Sequence, residues 1–87
     1  MILWFHGDSM LPNMPKLGLA YSRKTDNYCL GDIICIKAKN EKTYLHRIVK
    51  LEEFKVTTKG DNRIKPEEYE TGIPLENIVG KVVWHFP

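Results

Sequence analysis

Asp32-Ile33-Ile34-Cys35-Ile36-Lys37-Ala38, then Lys39-Asn40-Glu41-Lys42, then Thr43-Tyr44-Leu45-His46-Arg47-Ile48-Val49-Lys50-Leu51 form one continuous stretch. Its first part follows Gly31 and is rich in β-branched residues, the composition of a strand leaving a turn. The middle part is polar and as short as a hairpin loop. The last part alternates in part. Thr43, Leu45, Arg47, Val49 and Leu51 share one side, and Tyr44, His46, Ile48 and Lys50 share the other. The stretch predicts an antiparallel hairpin with a histidine in the middle of its second strand.

Working outward, Ile2 to Phe5 is a short apolar run that stops before Gly7. Phe54 to Lys59 reads as a further strand closed by Gly60-Asp61-Asn62. Val79 to Phe86 reads as a last strand after Pro74-Leu75-Glu76-Asn77. Pro12 to Leu30 is less regular, with room for a strand around Leu19-Ala20-Tyr21. Helix signals are poor throughout. Short strands separated by turn signals predict an all-β, antiparallel, barrel-like fold.

The 87 residues suit a single domain spanning 1–87. A chain of this size buries only about 60–65% of its unfolded surface, so its turns must be well specified. Thirteen Lys and Arg oppose eleven Asp and Glu, giving a net charge of +2. The basic residues are scattered rather than banded, which argues against a nucleic-acid partner. No run of about 20 apolar residues exists, so no membrane-spanning helix is expected. Met1 to Phe5 is apolar but short and lacks a basic leader; it reads as a strand rather than a secretory signal. Cys29 and Cys35 do not form a C-x-x-C pair, and no second cysteine pair or histidine cluster completes a zinc site. Cys35, inside an apolar run, reads as a small core residue, and the spacing specifies no disulfide.

Three segments carry residues suited to attack on an amide. Gly7-Asp8-Ser9-Met10-Leu11-Pro12 holds a serine on a loop. Gly7 lets backbone approach a ligand closely and Pro12 restrains the loop exit. Leu45-His46-Arg47-Ile48-Val49 holds the histidine, and Lys59-Gly60-Asp61-Asn62-Arg63 holds an aspartate in a turn. Singly, each has a plain structural role: a turn serine, a packed histidine, a turn-closing aspartate. A regular strand turns Arg47 away from His46, towards structure or a surface ion pair. His6 and His85 have no matching partner pattern.

Taken together, the segments resemble the boxes of the type I signal peptidases, serine endopeptidases related to the self-cleaving SOS repressors. Ser9-Met10-Leu11-Pro12 is similar to the family's Ser-Met-x-Pro nucleophile box. Gly31-Asp32-Ile33-Ile34 is similar to its Gly-Asp box before apolar β residues. His46-Arg47-Ile48-Val49 resembles the general-base box of archaeal and endoplasmic-reticulum members, where bacterial members carry Lys. Gly60-Asp61-Asn62-Arg63 matches the Gly-Asp-Asn box, and Ile73 to Lys81 resembles the closing segment. The likeness spans nearly the whole chain in the expected order.

The resemblance implies Ser9 as nucleophile, His46 as general base and Asp61 as the acid that orients the base. It implies an oxyanion hole from the N–H of Ser9 and a donor at Gly7, with Met10 packed beneath the substrate groove. It also implies a peptide or preprotein substrate with small residues one and three places before the cut, no cofactor and no metal. Any membrane contact would be peripheral, and the sequence leaves open whether the domain sits in the cytoplasm, at a membrane surface or outside it. Ile2, Leu3 and Ile33 are candidates for narrowing the pockets. The chain departs from the family in two respects. Lys65-Pro66-Glu67-Glu68 has no aspartate where the family usually has a further one, so either a glutamate substitutes or that role is missing. The amino-terminal anchor and the large inserted subdomain of some bacterial members are also missing. A histidine base, with a free pKa of about 6.5 against about 10.4 for lysine, needs only geometry to act near neutrality. The alternative is a non-catalytic β-barrel module that binds peptide or protein in the same groove.

Overall fold

The computed structural model describes residues 1–87. Seven strands form one antiparallel sheet curled into a half-barrel. They are β1 (Ile2–His6), β2 (Leu17–Arg23), β3 (Ile33–Lys37), β4 (Thr43–Leu51), β5 (Lys55–Lys59), β6 (Ile73–Pro74) and β7 (Ile78–Phe86). The sheet order is β1-β2-β7-β3-β4-β5-β6, so the closing strand β7 is inserted between β2 and β3. The sequence expectation of an all-β antiparallel fold holds. No helix is long and apolar enough to cross a membrane.

The β3–β4 hairpin forms at the expected place. Ile34 faces His46 and Cys35 faces Leu45 across the ladder. The loop closes through the Ala38 N–H to the Lys42 carbonyl, with Glu41 in the left-handed region at φ 68°. The irregular Pro12–Leu30 segment contributes more order than its sequence suggests. Its strand β2 is seven residues long because it is paired on both sides, by β1 and by β7. The partial alternation read along Thr43 to Leu51 holds in β4 as far as Ile48. A bulge between Ile48 and Lys50 leaves Ile48 facing Thr58 and Lys50 facing Thr57, so side chains beyond it change face.

The main core is Ile34, Ile36, Ile48, Val56, Ile73 and Ile78, drawn from β3 to β7, with Tyr28, Tyr44 and Leu75 packed against it. β-Branched residues dominate because their stiff side chains fill the space between pleated strands. Cys35 is buried and Cys29 exposed, and both are free thiols. The concave side of β1 and β2 carries Leu3, Phe5, Gly18 and Ala20. Their convex side is unusually apolar. Trp4, Leu19 and Phe86 form one cross-strand row and Ile2, Tyr21 and Trp84 the next. Trp4 and Phe86 are each 70% exposed.

Ile34→Ala, at a fully buried position in the centre of the sheet, is expected to cost about 2–5 kcal/mol. Chemical denaturation monitored by tryptophan fluorescence would measure it. In a small domain a loss of that size removes much of the total stability.

Candidate active site

Strand alternation determines which residues of β4 enter the site. His46 and Ile48 are buried on the concave side, whereas Arg47 between them is not. The Ser9 loop leaves the end of β1 and turns at Gly7, whose φ of +108° suits glycine. It is then fastened to the turn after β5. The Asn62 N–H donates to the Ser9 carbonyl at 2.7 Å, and Asn62 Nδ2 donates to the Asp8 carbonyl at 3.0 Å. Gly60 makes that approach feasible, because a Cβ there would lie 2.6 Å from the Ser9 carbonyl oxygen.

These restraints put the Ser9 Oγ 2.8 Å from His46 Nε2. The other ring nitrogen, Nδ1, is hydrogen-bonded to Glu70 Oε1. Thr58 Oγ1 donates to the same carboxylate oxygen at 2.8 Å. Glu70 is 2% exposed and His46 6%. A carboxylate at Nδ1 fixes the neutral imidazole with its proton on that nitrogen. The Nε2 lone pair then faces the serine hydroxyl, which donates to it. This is the arrangement of nucleophile, base and orienting acid that activates a serine.

Asp61 does not occupy the orienting position expected from the sequence. Its carboxylate takes a bidentate bond from Arg47, with Nε to Oδ1 and Nη2 to Oδ2 both at 2.8 Å, and accepts from Asn13 Nδ2 at 2.8 Å. The reason is geometric. Arg47 and His46 are neighbours on β4 and point to opposite faces. Lys59 pairs with Arg47, and the Gly60 turn delivers Asp61 to the arginine side. Arg47 Nη1 also donates to the Gly31 carbonyl at 2.7 Å. Asp61 therefore ties the base strand to the serine loop, which carries Asn13. The hydrogen bonds from Arg47, with a smaller contribution from Asn13, hold its carboxyl below the usual carboxylate range despite partial burial.

Glu70 is the residue that sequence reasoning missed. The region after Gly-Asp-Asn pointed to Glu67 or Glu68 as a substitute acid. The 3-10 turn Glu68–Glu70 instead directs the last of its glutamates inward. The sequence holds no local signal for this, since Glu-Tyr-Glu after Glu67 reads as a solvated run.

The oxyanion expectation also changes. The Gly7 N–H donates to the Lys16 carbonyl at 2.8 Å, so it closes the β1–β2 loop and is not free for a ligand. The Ser9 N–H has no acceptor within the chain. Met10 is buried, and its sulfur accepts from the Asp61 N–H at 3.4 Å. A cleft of about 510 Å³ runs from Ser9 and His46 along β1, walled by Leu3, Phe5, Met10, Met14 and Leu45. Of the three residues expected to narrow it, only Leu3 does so. Ile2 lies on the convex side, 64% exposed, and Ile33 does not reach the cleft. Cys35 also lines the cleft, and burial pushes its thiol up, so it is a protonated apolar neighbour at neutral pH.

Comparison with family models, with curated proteins and with solved structures produced no match. The chemistry of the site therefore rests on its own geometry.

Glu70→Gln and Asp61→Asn separate the two acids. Glu70→Gln is expected to lower turnover on any cleaved peptide about 10²–10⁴-fold, by analogy with loss of the orienting acid elsewhere. Asp61→Asn leaves the relay in place and acts through stability. Because the Asp61 carboxyl is depressed in the folded state, its contribution is complete above the unfolded value of about 3.9 and disappears as pH falls through the lower folded value. Thermal melts between about pH 5 and 2 should show a shallower acid loss in Asp61→Asn than in the wild type.

Proposed function

We propose that this chain is a serine endopeptidase resembling the type I signal peptidases, with Ser9 as nucleophile, His46 as general base and Glu70 as the orienting acid. The observation that carries the reading is the continuous bonded series from Ser9 Oγ through both nitrogens of His46 to a buried carboxylate. The Ser9 Oγ attacks the scissile carbonyl carbon as its proton passes to His46 Nε2. The carbonyl oxygen takes the negative charge, facing the free Ser9 N–H. The C–N bond breaks, and Nε2 returns the proton to the leaving nitrogen. A water molecule then hydrolyses the acyl-serine by the same route. Glu70 balances the imidazolium in both halves, and Thr58 holds Glu70.

The substrate is an extended peptide. Strand β1 pairs only with β2, so its other edge offers backbone groups beside the cleft to an added strand. The resemblance supplies the preference for small residues one and three places before the cut. The second reading, a binding module without turnover, shares this groove. The relay favours the enzyme, because peptide binding has no use for a serine hydroxyl bonded to an imidazole.

The partner class extends to a bilayer surface. Trp4, Trp84 and Tyr21 on the convex face are amphipathic aromatics of the kind that settle at headgroup depth, and Phe86 adds a wholly apolar ring beside them. Lys16, Arg23 and Lys24 flank the same strands, where they can meet anionic headgroups.

Incubation with Ala-x-Ala peptides should give product from the wild type. Ser9→Ala and His46→Ala should each reduce it by about three orders of magnitude or more. Equal product from all three proteins would remove the enzyme reading. Separately, wild type should float with phosphatidylglycerol-containing vesicles, and the Trp4→Ser/Phe86→Ser double variant should not. Equal flotation of the two would exclude the convex face as the contact.

A further inference from the structure

Ser9 and His46 stand at the junction of two cavities with opposite chemistry. The first is the apolar cleft along β1. The second, about 200 Å³, shares His6, Gly7, Ser9, Tyr44 and His46 with it and is otherwise walled by Asp8, Arg63, Glu67, Tyr69 and Glu70. An extended chain crossing from one to the other places the bond between them over the Ser9 hydroxyl. The larger cleft lies along the open edge of β1, which can hold the acyl part by strand pairing. The second cavity is then left for the residues beyond the cut.

Its charges do not cancel. Arg63 Nη2 is paired to Asp8 Oδ1 at 2.8 Å. Glu70 is occupied by His46 and Thr58. Glu67 makes no ion pair; it lies within Coulomb reach of Arg63, but with Asp8 it sets two carboxylates against that one guanidinium and leaves the wall net acidic. The nearby Lys59 ammonium is bound to the Gly60 and Arg63 carbonyls. The floor is aromatic: Tyr44 stacks on His46 at 5.2 Å and on Tyr69 at 5.3 Å between ring centroids. Burial and a hydrogen bond with Tyr44 push the Tyr69 hydroxyl up, so that ring carries no charge at physiological pH. A free carboxylate beside stacked rings favours a cationic side chain, through Coulomb attraction and through the ring faces.

We propose that the Asp8–Arg63–Glu67–Tyr69 cavity is the leaving-side subsite and selects peptides with Lys or Arg at the first or second position after the cut, with Glu67 as the discriminating residue. This rests on the endopeptidase reading.

The test uses peptides identical before the cut and carrying Lys, Gln or Glu at each of the two following positions. The expected order of kcat/KM is Lys, then Gln, then Glu. Lys should exceed Glu by about three- to tenfold at low salt, the size expected of one partly solvated charge, and the gap should shrink by about 0.5 M salt. Glu67→Lys should reverse the order, whereas Glu53→Lys, in the remote β4–β5 turn, should keep it. A charge-blind wild type, or an order unchanged in Glu67→Lys, overturns the proposal. If the wild type cleaves none of the peptides, the endopeptidase reading fails by itself. Titration of the same peptides into Ser9→Ala protein, followed by Tyr69 ring resonances, then decides the subsite. Affinity ordered by charge supports it, and affinity indifferent to charge overturns it.

Discussion

A glutamate carboxyl with 2% exposure has to find hydrogen-bond partners in its surroundings or its burial costs a small domain much of its stability. Glu70 is answered twice, by His46 Nδ1 and by the Thr58 hydroxyl. Much of the remaining architecture follows from that requirement. β4 and β5 must be adjacent, so that His46 and Thr58 converge on one point. The 3-10 turn after Pro66 must fold back against β5. The imidazole, held from behind, can then present one defined nitrogen to Ser9. Removing a single member leaves another buried polar group unsatisfied, so the site and the fold support each other.

The opposite face of β4 carries a second set of ties. Arg47 links the Gly31 turn, the Asp61 turn and, through Asp61, the Asn13 end of the serine loop. Two acids that look interchangeable on paper thus do different work. Glu70, buried beside His46, can influence proton transfer directly. Asp61, bound by a guanidinium, fixes the distance between loop and strand. Gly60 belongs with Asp61, since any side chain there would push on Ser9.

The β3–β4 hairpin was legible because local composition, loop length and periodicity agreed, and the tertiary structure opposed them only at the bulge after Ile48. β2 was only partly legible. Leu17–Arg23 contains Gly18 and small residues, and its length comes from two neighbours that the local sequence does not reveal. Ser9 and His46 were legible as chemistry through their order and neighbours. The acid was not, because alternation on β4 and the Gly60 turn send Asp61 to the arginine side. Gly7 was misjudged as a donor, since its N–H is consumed by the loop it helps to form.

The sequence by itself determined an antiparallel all-β chain, the strand that carries His46 and the loop that carries Ser9. These depend on side-chain period and turn residues, which act over a few positions. Only the tertiary structure decided that Glu70 meets the histidine, that Asp61 braces the loop, and that two unlike cavities meet at the serine. Those outcomes depend on contacts between residues distant in the chain, 24 positions apart for His46 with Glu70 and 51 for Ser9 with Gly60, and no local pattern encodes which of several acids the curl of the sheet will bury.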